Sequence, residues 1–167
     1  MAELVVPLDN PESRAWVIGR FPKIDGTEFI VTSPCNKSYN CIAWAAGKNE
    51  EFWWPGHPDW PTGAPKTDTR LAFIKAFETL GYAKCDNGDL ESGFEKIVLY
   101  EKLGRPKHAA RMLEDGRWAS KLGTGFDIVH TLEGLKGNEY GVPALFMRRA
   151  LPAQPALGLA PNPPLEM

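Results

Sequence analysis

The sequence predicts an α+β fold, with N-terminal helices packed on a small antiparallel sheet. Helix signals crowd the first half of the chain, whereas beyond a polar turn at residues 86–93 the apolar pattern shifts to short strand-like runs. Asp115-Gly116 separates two of those runs, and that dipeptide favours the tight turn that joins antiparallel neighbours. Helices first and paired strands afterwards is the order of an α+β domain. The chain has 167 residues, 43% of them hydrophobic and 24% charged, enough for one domain with one sizeable core.

Taken in order, Asn10-Pro11-Glu12 marks a helix start with proline at the first helical position. Glu28-Phe29-Ile30-Val31 reads as a short strand. Residues 33–39 form turns, and Asn40 caps a helix through Ile42-Ala43-Trp44-Ala45-Ala46 that Gly47 stops. Cys41 therefore falls in a first helical turn. Residues 49–66 read as a loop around Trp53-Trp54-Pro55 and Trp60-Pro61. Thr67 or Asp68 then caps a helix with the stripe Leu71, Ile74, Phe77 and Leu80, ending at Gly81. Residues 96–100 read as a buried strand, and residues 108–113 as a second that His108 opens. A two-residue hairpin at Asp115-Gly116 leads into a third strand over 117–122, with Ser120 beside His108. Residues 127–135 are expected to form a short helix, and residues 142–149 a closing strand. The domain should end near residue 150. Residues 151–167 hold five prolines and a single charge, Glu166, the composition of an extended, disordered tail.

A net charge of −2 and a pI near 5.9 offer nothing to nucleic acid or to an anionic membrane. The three cysteines, Cys35, Cys41 and Cys85, lack framework spacing and read as free thiols of a reducing compartment. No apolar run approaches the ~20 residues of a membrane span, and no signal peptide is visible. The expected location is the cytoplasm, or export by a route that reads no N-terminal signal. Cys41, Cys85, His57 and His108 include no Cys-x-x-Cys or His-x-x-x-His pair, so no metal site is expected.

One constellation points to chemistry. A helix start lowers a thiol's pKa through its free amides and partial positive charge, and the same amides can hold an oxyanion. Cys41 has that position. A cysteine nucleophile also needs an imidazole, held in turn by a third polar group. His108 lies 67 residues downstream at a strand start, with Asp127, or Ser120 on the adjacent strand, to orient it. A free cysteine on a small-residue helix also serves simply as a space-filler. Trp53, Trp54 and Trp60 have two readings as well, a stacking platform for substrate or aromatic packing across the core.

The order of a helix-borne cysteine, a strand (residues 95–100), a His-led strand and a glycine hairpin (108–118) resembles the papain-like superfamily of cysteine peptidases and amidases, including its compact bacterial cell-wall branch. More narrowly, residues 39–47 (YNCIAWAAG), the Trp-Trp-Pro at 53–55 and residues 118–123 (WASKLG) look like an uncharacterised, mostly bacterial family; that likeness covers roughly 28–149. The resemblance implies a papain-like fold with Cys41 as nucleophile and His108 as general base. Of the third-residue candidates Asp127 is the best chemical match, with Ser120 and His130 behind it. The superfamily's glutamine before the nucleophile is missing, so Asn36 or Asn40 would supply that amide. The function implied is hydrolysis of amide bonds in peptide or peptidoglycan-type substrates, with no cofactor. The alternative is a catalytically inactive papain-like domain that binds a partner through its Trp-rich loop.

Overall fold

In a computed structural model that describes residues 7–152, three short α-helices, two 3-10 turns and a seven-stranded antiparallel sheet make up those residues. Helix α1 (Pro11–Arg20) starts where Asn10 Oδ1 accepts the N–H groups of Glu12 and Ser13, both at 2.9 Å, and Ser13 Oγ accepts that of Asn10. Strand β1 (Ile30–Ser33) follows. Helix α2 (Cys41–Ala45) is capped by Asn40, whose Oδ1 accepts the N–H of Ala43 at 3.1 Å and that of Trp53 at 3.0 Å. Asn40 Nδ2 also donates to the Trp53 carbonyl at 2.7 Å, so one side chain both starts the helix and pins the following loop. Gly47 ends this segment in the left-handed region at φ +84°.

Helix α3 (Arg70–Glu78) departs from expectation at its start and its face. Thr69, rather than Thr67 or Asp68, caps it, with Thr69 Oγ accepting the N–H of Ala72. The buried face is Ala72, Phe73, Ile74, Ala76 and Phe77, whereas Leu71 is 57% exposed. The two phenylalanines bury the most apolar area and so set the rotation of the helix. Its first turn is tied to the sheet by Arg70, which donates to both carboxylate oxygens of Glu101 at 2.6 and 2.7 Å.

The remaining strands are β2 (Ala83–Cys85), β3 (Phe94–Lys102), β4 (Arg105–Met112), β5 (Trp118–Lys121), β6 (Asp127–His130) and β7 (Val142–Ala150), in the sheet order β1-β6-β5-β4-β3-β7-β2. Both faces of the sheet are covered. Ile97, Leu99, Ala109 and Met147 meet α2, α3, Trp53 and Trp60 on one side. Val98, Tyr100, Ala110, Met112, Trp118 and Ile128 meet Val17, Phe21, Ile24 and Leu135 on the other. That double burial is why residues 96–100 read as one continuous apolar run.

Three expectations change here. Residues 127–135 are not a helix: they form β6 and then a 3-10 turn at Glu133–Leu135. Partners on both sides, β5 and β1, favour the extended form, and Ile128 and His130 alternate inward. His108 does not open its strand. A tight turn at Leu103 (φ +53°) and Gly104 (φ +76°) starts β4 three residues earlier, and His108 pairs with Tyr100. The hairpin after β4 has three loop residues instead of two, closed by Leu113 N–H donating to Arg117 O at 2.7 Å, with Gly116 at φ +88°. The short edge strand β2 has no counterpart in the sequence reading.

Leu151 and Pro152 are irregular and exposed, and the rest of the expected tail, residues 153–167, lies outside the described residues. Among the described residues no helix is long and apolar enough to cross a membrane.

Candidate functional site

The one-residue change in the hairpin builds the site. Pairing Met112 with Trp118 and Arg111 with Ala119 puts Ser120 on the same sheet face as His108; a loop shorter by one would turn it to the opposite face. The β4–β5 ladder then stops at Arg111 and Ala119, and α2 lies against both strands. At that end of the sheet His108 Nε2 lies 2.8 Å from Ser120 Oγ, and Ser120 Oγ lies 2.7 Å from His130 Nε2. His130 Nδ1 in turn lies 2.8 Å from the carbonyl oxygen of Thr131. All three side chains are buried.

This chain of contacts fixes the protons. A carbonyl oxygen can only accept, so His130 Nδ1 carries the hydrogen and a neutral His130 presents a lone pair at Nε2. Ser120 must therefore donate to His130 and accept from His108 Nε2–H. His108 is left with a bare lone pair at Nδ1, and that atom is buried without a hydrogen-bond partner. Tyr140 stacks flat on the His108 ring at 4.0 Å between centroids, and Tyr100 meets it edge-on at 5.6 Å. An orphaned buried base of this kind costs stability unless it has a use.

Electrostatics keep every member neutral at rest. Burial pushes the Cys41 thiol up to about 11, against the opposing pull of the Ala109, Ile42 and Cys41 amides and of Lys121. Burial also holds His108 well below its ordinary value, helped by His130, and lowers His130 to about 4 against the Thr131 hydrogen bond. The expected acidic thiol at a helix start is thus reversed. Helix α2 has five residues and Cys41 is 7% exposed, so desolvation exceeds what so short a dipole returns. Cys41 packs in the α2-side cluster with Leu99 and Ala109, whereas His108, paired with Tyr100, belongs with Ser120 and His130 to the α1-side face; no hydrogen bond joins Cys41 Sγ to His108, although the amide of Ala109, the next residue, acts on that sulfur.

Asp127 is not the partner of His108. It pairs with Lys121 across β5 and β6, on the α2 side of the sheet, whereas Ser120 and His130 face the other way. Its Oδ2 accepts from the Tyr39 hydroxyl at 2.9 Å, and its Oδ1 lies 3.9 Å from the buried Lys121 Nζ. Lys121 Nζ also donates to the Gly125 carbonyl and sits 5.0 Å above the Tyr39 ring. Burial raises the Asp127 carboxyl and lowers the Lys121 ammonium, each group opposing the shift of the other. Losing the carboxylate in Asp127→Asn should leave the Lys121 charge less compensated, so the Cys41 titration should move down in pH; Lys121→Met should move it up. The pH dependence of Cys41 alkylation, with Cys35 and Cys85 replaced by serine, reads both shifts. An upward move in Asp127→Asn would contradict this placement.

A domain of unknown function (DUF7689) matches residues 30–148. The chain belongs to that family. No curated protein matches the chain, and neither does any solved structure. The DUF7689 span begins at the first residue of β1 and ends inside β7, so it takes in Cys41, His108, Ser120 and His130 and leaves out α1.

Other sequence-predicted residues of the DUF7689 span lie elsewhere. Trp53 and Trp60 are buried and Trp54 half-buried, packed edge to face on Phe77 and Phe73 at centroid distances of 5.2–6.0 Å. Their indoles are engaged too: Trp53 Nε1 donates to Glu51 and Trp60 Nε1 to the Pro65 carbonyl. They are core, not a platform. Asn40 caps α2 and holds Trp53 in place of presenting an amide to substrate, and Asn36 is exposed in a turn with its Oδ1 on the Ser38 N–H. Lys121 and Tyr140 were not anticipated. Lysine and tyrosine in a half-polar segment read as surface residues by default, and only strand alternation next to Ser120 hints that Lys121 turns inward. Among the described residues no group of three or more His, Cys, Asp or Glu side chains is placed to hold a metal.

Proposed function

We propose that the protein is a cysteine hydrolase of amide bonds, papain-like in its arrangement, acting on peptide or peptidoglycan-type substrates. Cys41 is the nucleophile, His108 the base, and Ser120 with His130 position the imidazole. The observation that supports this most strongly is the bare, buried Nδ1 of His108, whose lone pair the chain of contacts to the Thr131 carbonyl leaves free. A base kept ready in one tautomer is what a thiol of ordinary or raised pKa requires.

The neutral resting pair dictates the sequence of events. As Sγ attacks the carbonyl carbon, its proton passes to His108 Nδ1, and the oxyanion meets the backbone N–H groups that already favour negative charge at the sulfur. Imidazolium returns that proton to the departing amine, leaving a thioester on Cys41. Water then attacks the thioester, giving its proton to Nδ1; collapse releases the acid, and the proton returns to Sγ. Neither step needs a cofactor. The alternative, a binding module working through Trp53, Trp54 and Trp60, has little aromatic surface left to offer, since two of the three rings are buried.

Acylation by a small activated ester tests the reading. p-Nitrophenyl acetate should acetylate Cys41 in a site-resolved mass spectrum, and the adduct should disappear on standing as the thioester hydrolyses. Acetylation confined to Cys35 and Cys85, or a permanent Cys41 adduct, would count against a hydrolase.

A further inference from the structure

Across the Tyr140 ring from His108 lies a cavity of about 380 Å³ that no residue role above accounts for; neither Cys41 nor His108 lines it. Its walls come from four separate segments: Trp16 and Arg20 on α1, Cys35 and Lys37 in the turn before α2, residues 122–125 between β5 and β6, and Tyr140. Two observations connect it to the reacting groups. Tyr140 is at once a wall of the cavity and the ring stacked on His108. The side chain, half-buried, also feels the charge of Cys41 and, with opposite sign, of Arg20. Lys121, whose Nζ donates to the carbonyl of the wall residue Gly125, feels the charge of both Cys35 and Cys41.

The charge of the walls is lopsided. Arg20 and Lys37 both face the cavity, and neither forms an ion pair among the described residues. The Arg20 guanidinium is held over the Trp16 ring at 4.9 Å, which limits its freedom without neutralising it. Glu139 is the single acidic wall residue. Two unpaired cations from different segments, one of them stacked in place, form a receptor for an anion, and a planar guanidinium suits a carboxylate best.

We propose that this cavity is the substrate pocket and that it takes a substrate carrying a carboxylate near the bond to be cut, held by Arg20 and Lys37. This inference rests on the hydrolase reading and gives it a substrate class. Tyr140 then forms the wall between the bound carboxylate and the His108 ring, and α1, outside the family match, supplies part of the specificity.

Two alkylating reagents that differ in charge test it without a known substrate. Iodoacetate carries a carboxylate and iodoacetamide does not, so their rate ratio at Cys41, read by site-resolved mass spectrometry at pH 9, reports the pocket's charge preference. Against the same ratio for glutathione, Cys41 should favour iodoacetate at least about fivefold, the scale of a local potential on an anionic encounter. The Arg20→Gln/Lys37→Gln double variant should fall back to within about twofold of the glutathione ratio, while Arg20→Lys keeps most of the gain. Both positions are exposed, so the variants should fold. A ratio equal to that of glutathione, a preference unchanged in the double variant, or no reaction of Cys41 with either reagent would overturn the proposal. If iodoacetate is preferred but p-nitrophenyl acetate leaves no transient adduct, the pocket stands and the hydrolase reading falls.

Discussion

Taking the solution from pH 7 to pH 4 should destabilise the fold by about 3 kcal/mol through His130 alone. An unfolded histidine binds its proton near pH 6.5, whereas the folded His130, desolvated between β5 and the start of the 3-10 turn, waits until about 4. Between those values the unfolded chain holds more protons, so stability falls as pH falls, and His130 adds no further loss below its folded value. His108, held lower by burial and by His130, extends the loss in the same direction. Asp127 works the other way, because its raised folded carboxyl takes up a proton before the unfolded one does. Two buried histidines against one carboxyl make acid lability the net outcome. Urea midpoints measured between pH 7 and 4.5 should drop steadily, and the stability gap between wild type and His130→Gln should shrink as the pH is lowered. A flat profile over that range would mean that His130 is solvated or already charged in the folded protein.

The same protonation dismantles the site. A charged His130 donates from both nitrogens, so Ser120 would face two N–H groups with its own hydrogen left without an acceptor. Loss of acylation should therefore run ahead of global unfolding on the acid side.

How far the sequence foretold this arrangement depends on whether a feature is local. The start of α2 was legible because an asparagine cap, a small-residue turn and a terminal glycine sit within eight residues, from Asn40 to Gly47, and act on their own neighbours. Strand β3 was legible because burial on both faces leaves an unbroken apolar run. Strand β6 was not, since it owes its extended form to β1 and β5, one of them almost a hundred residues away in sequence. The choice between Ser120 and Asp127 turned on parity. One extra residue in the loop after β4 exchanges which of the two faces His108, and Asp-Gly alone does not distinguish a two-residue loop from a three-residue one. Charge then misled the chemical argument: a carboxylate is the stronger orienting group for an imidazole, but Asp127 is committed to Tyr39 and Lys121 on the far side of the sheet. His130 was the weakest of the three candidates on sequence, yet its Nε2 is the atom beside the Ser120 hydroxyl.

His108→Gln should lower the rate of Cys41 acylation by about 10²–10⁴, the usual contribution of a positioned general base. A glutamine keeps much of the ring's volume and can still bond Ser120, so folding should survive the change. Ser120→Ala should cost less, because the base remains and only its tautomer is released. With the hydroxyl gone, His108 Nε2–H has no acceptor, and the proton can settle on Nδ1, the atom that the proposed mechanism needs bare to receive the thiol proton. Rate alone does not separate that role from loosened packing, but the proton's position does. Long-range nitrogen–proton correlation spectra distinguish a protonated ring nitrogen from a bare one. Wild-type His108 should show hydrogen on Nε2 and a bare Nδ1, and Ser120→Ala should show a mixture of the two forms. His130→Gln should behave as an intermediate case, since Ser120 then loses its fixed acceptor but keeps its own hydroxyl beside His108. Hydrogen on Nδ1 in the wild type would remove the base from the mechanism. A Ser120→Ala variant as slow as His108→Gln, with the wild-type tautomer intact, would show that Ser120 acts by something other than orienting His108.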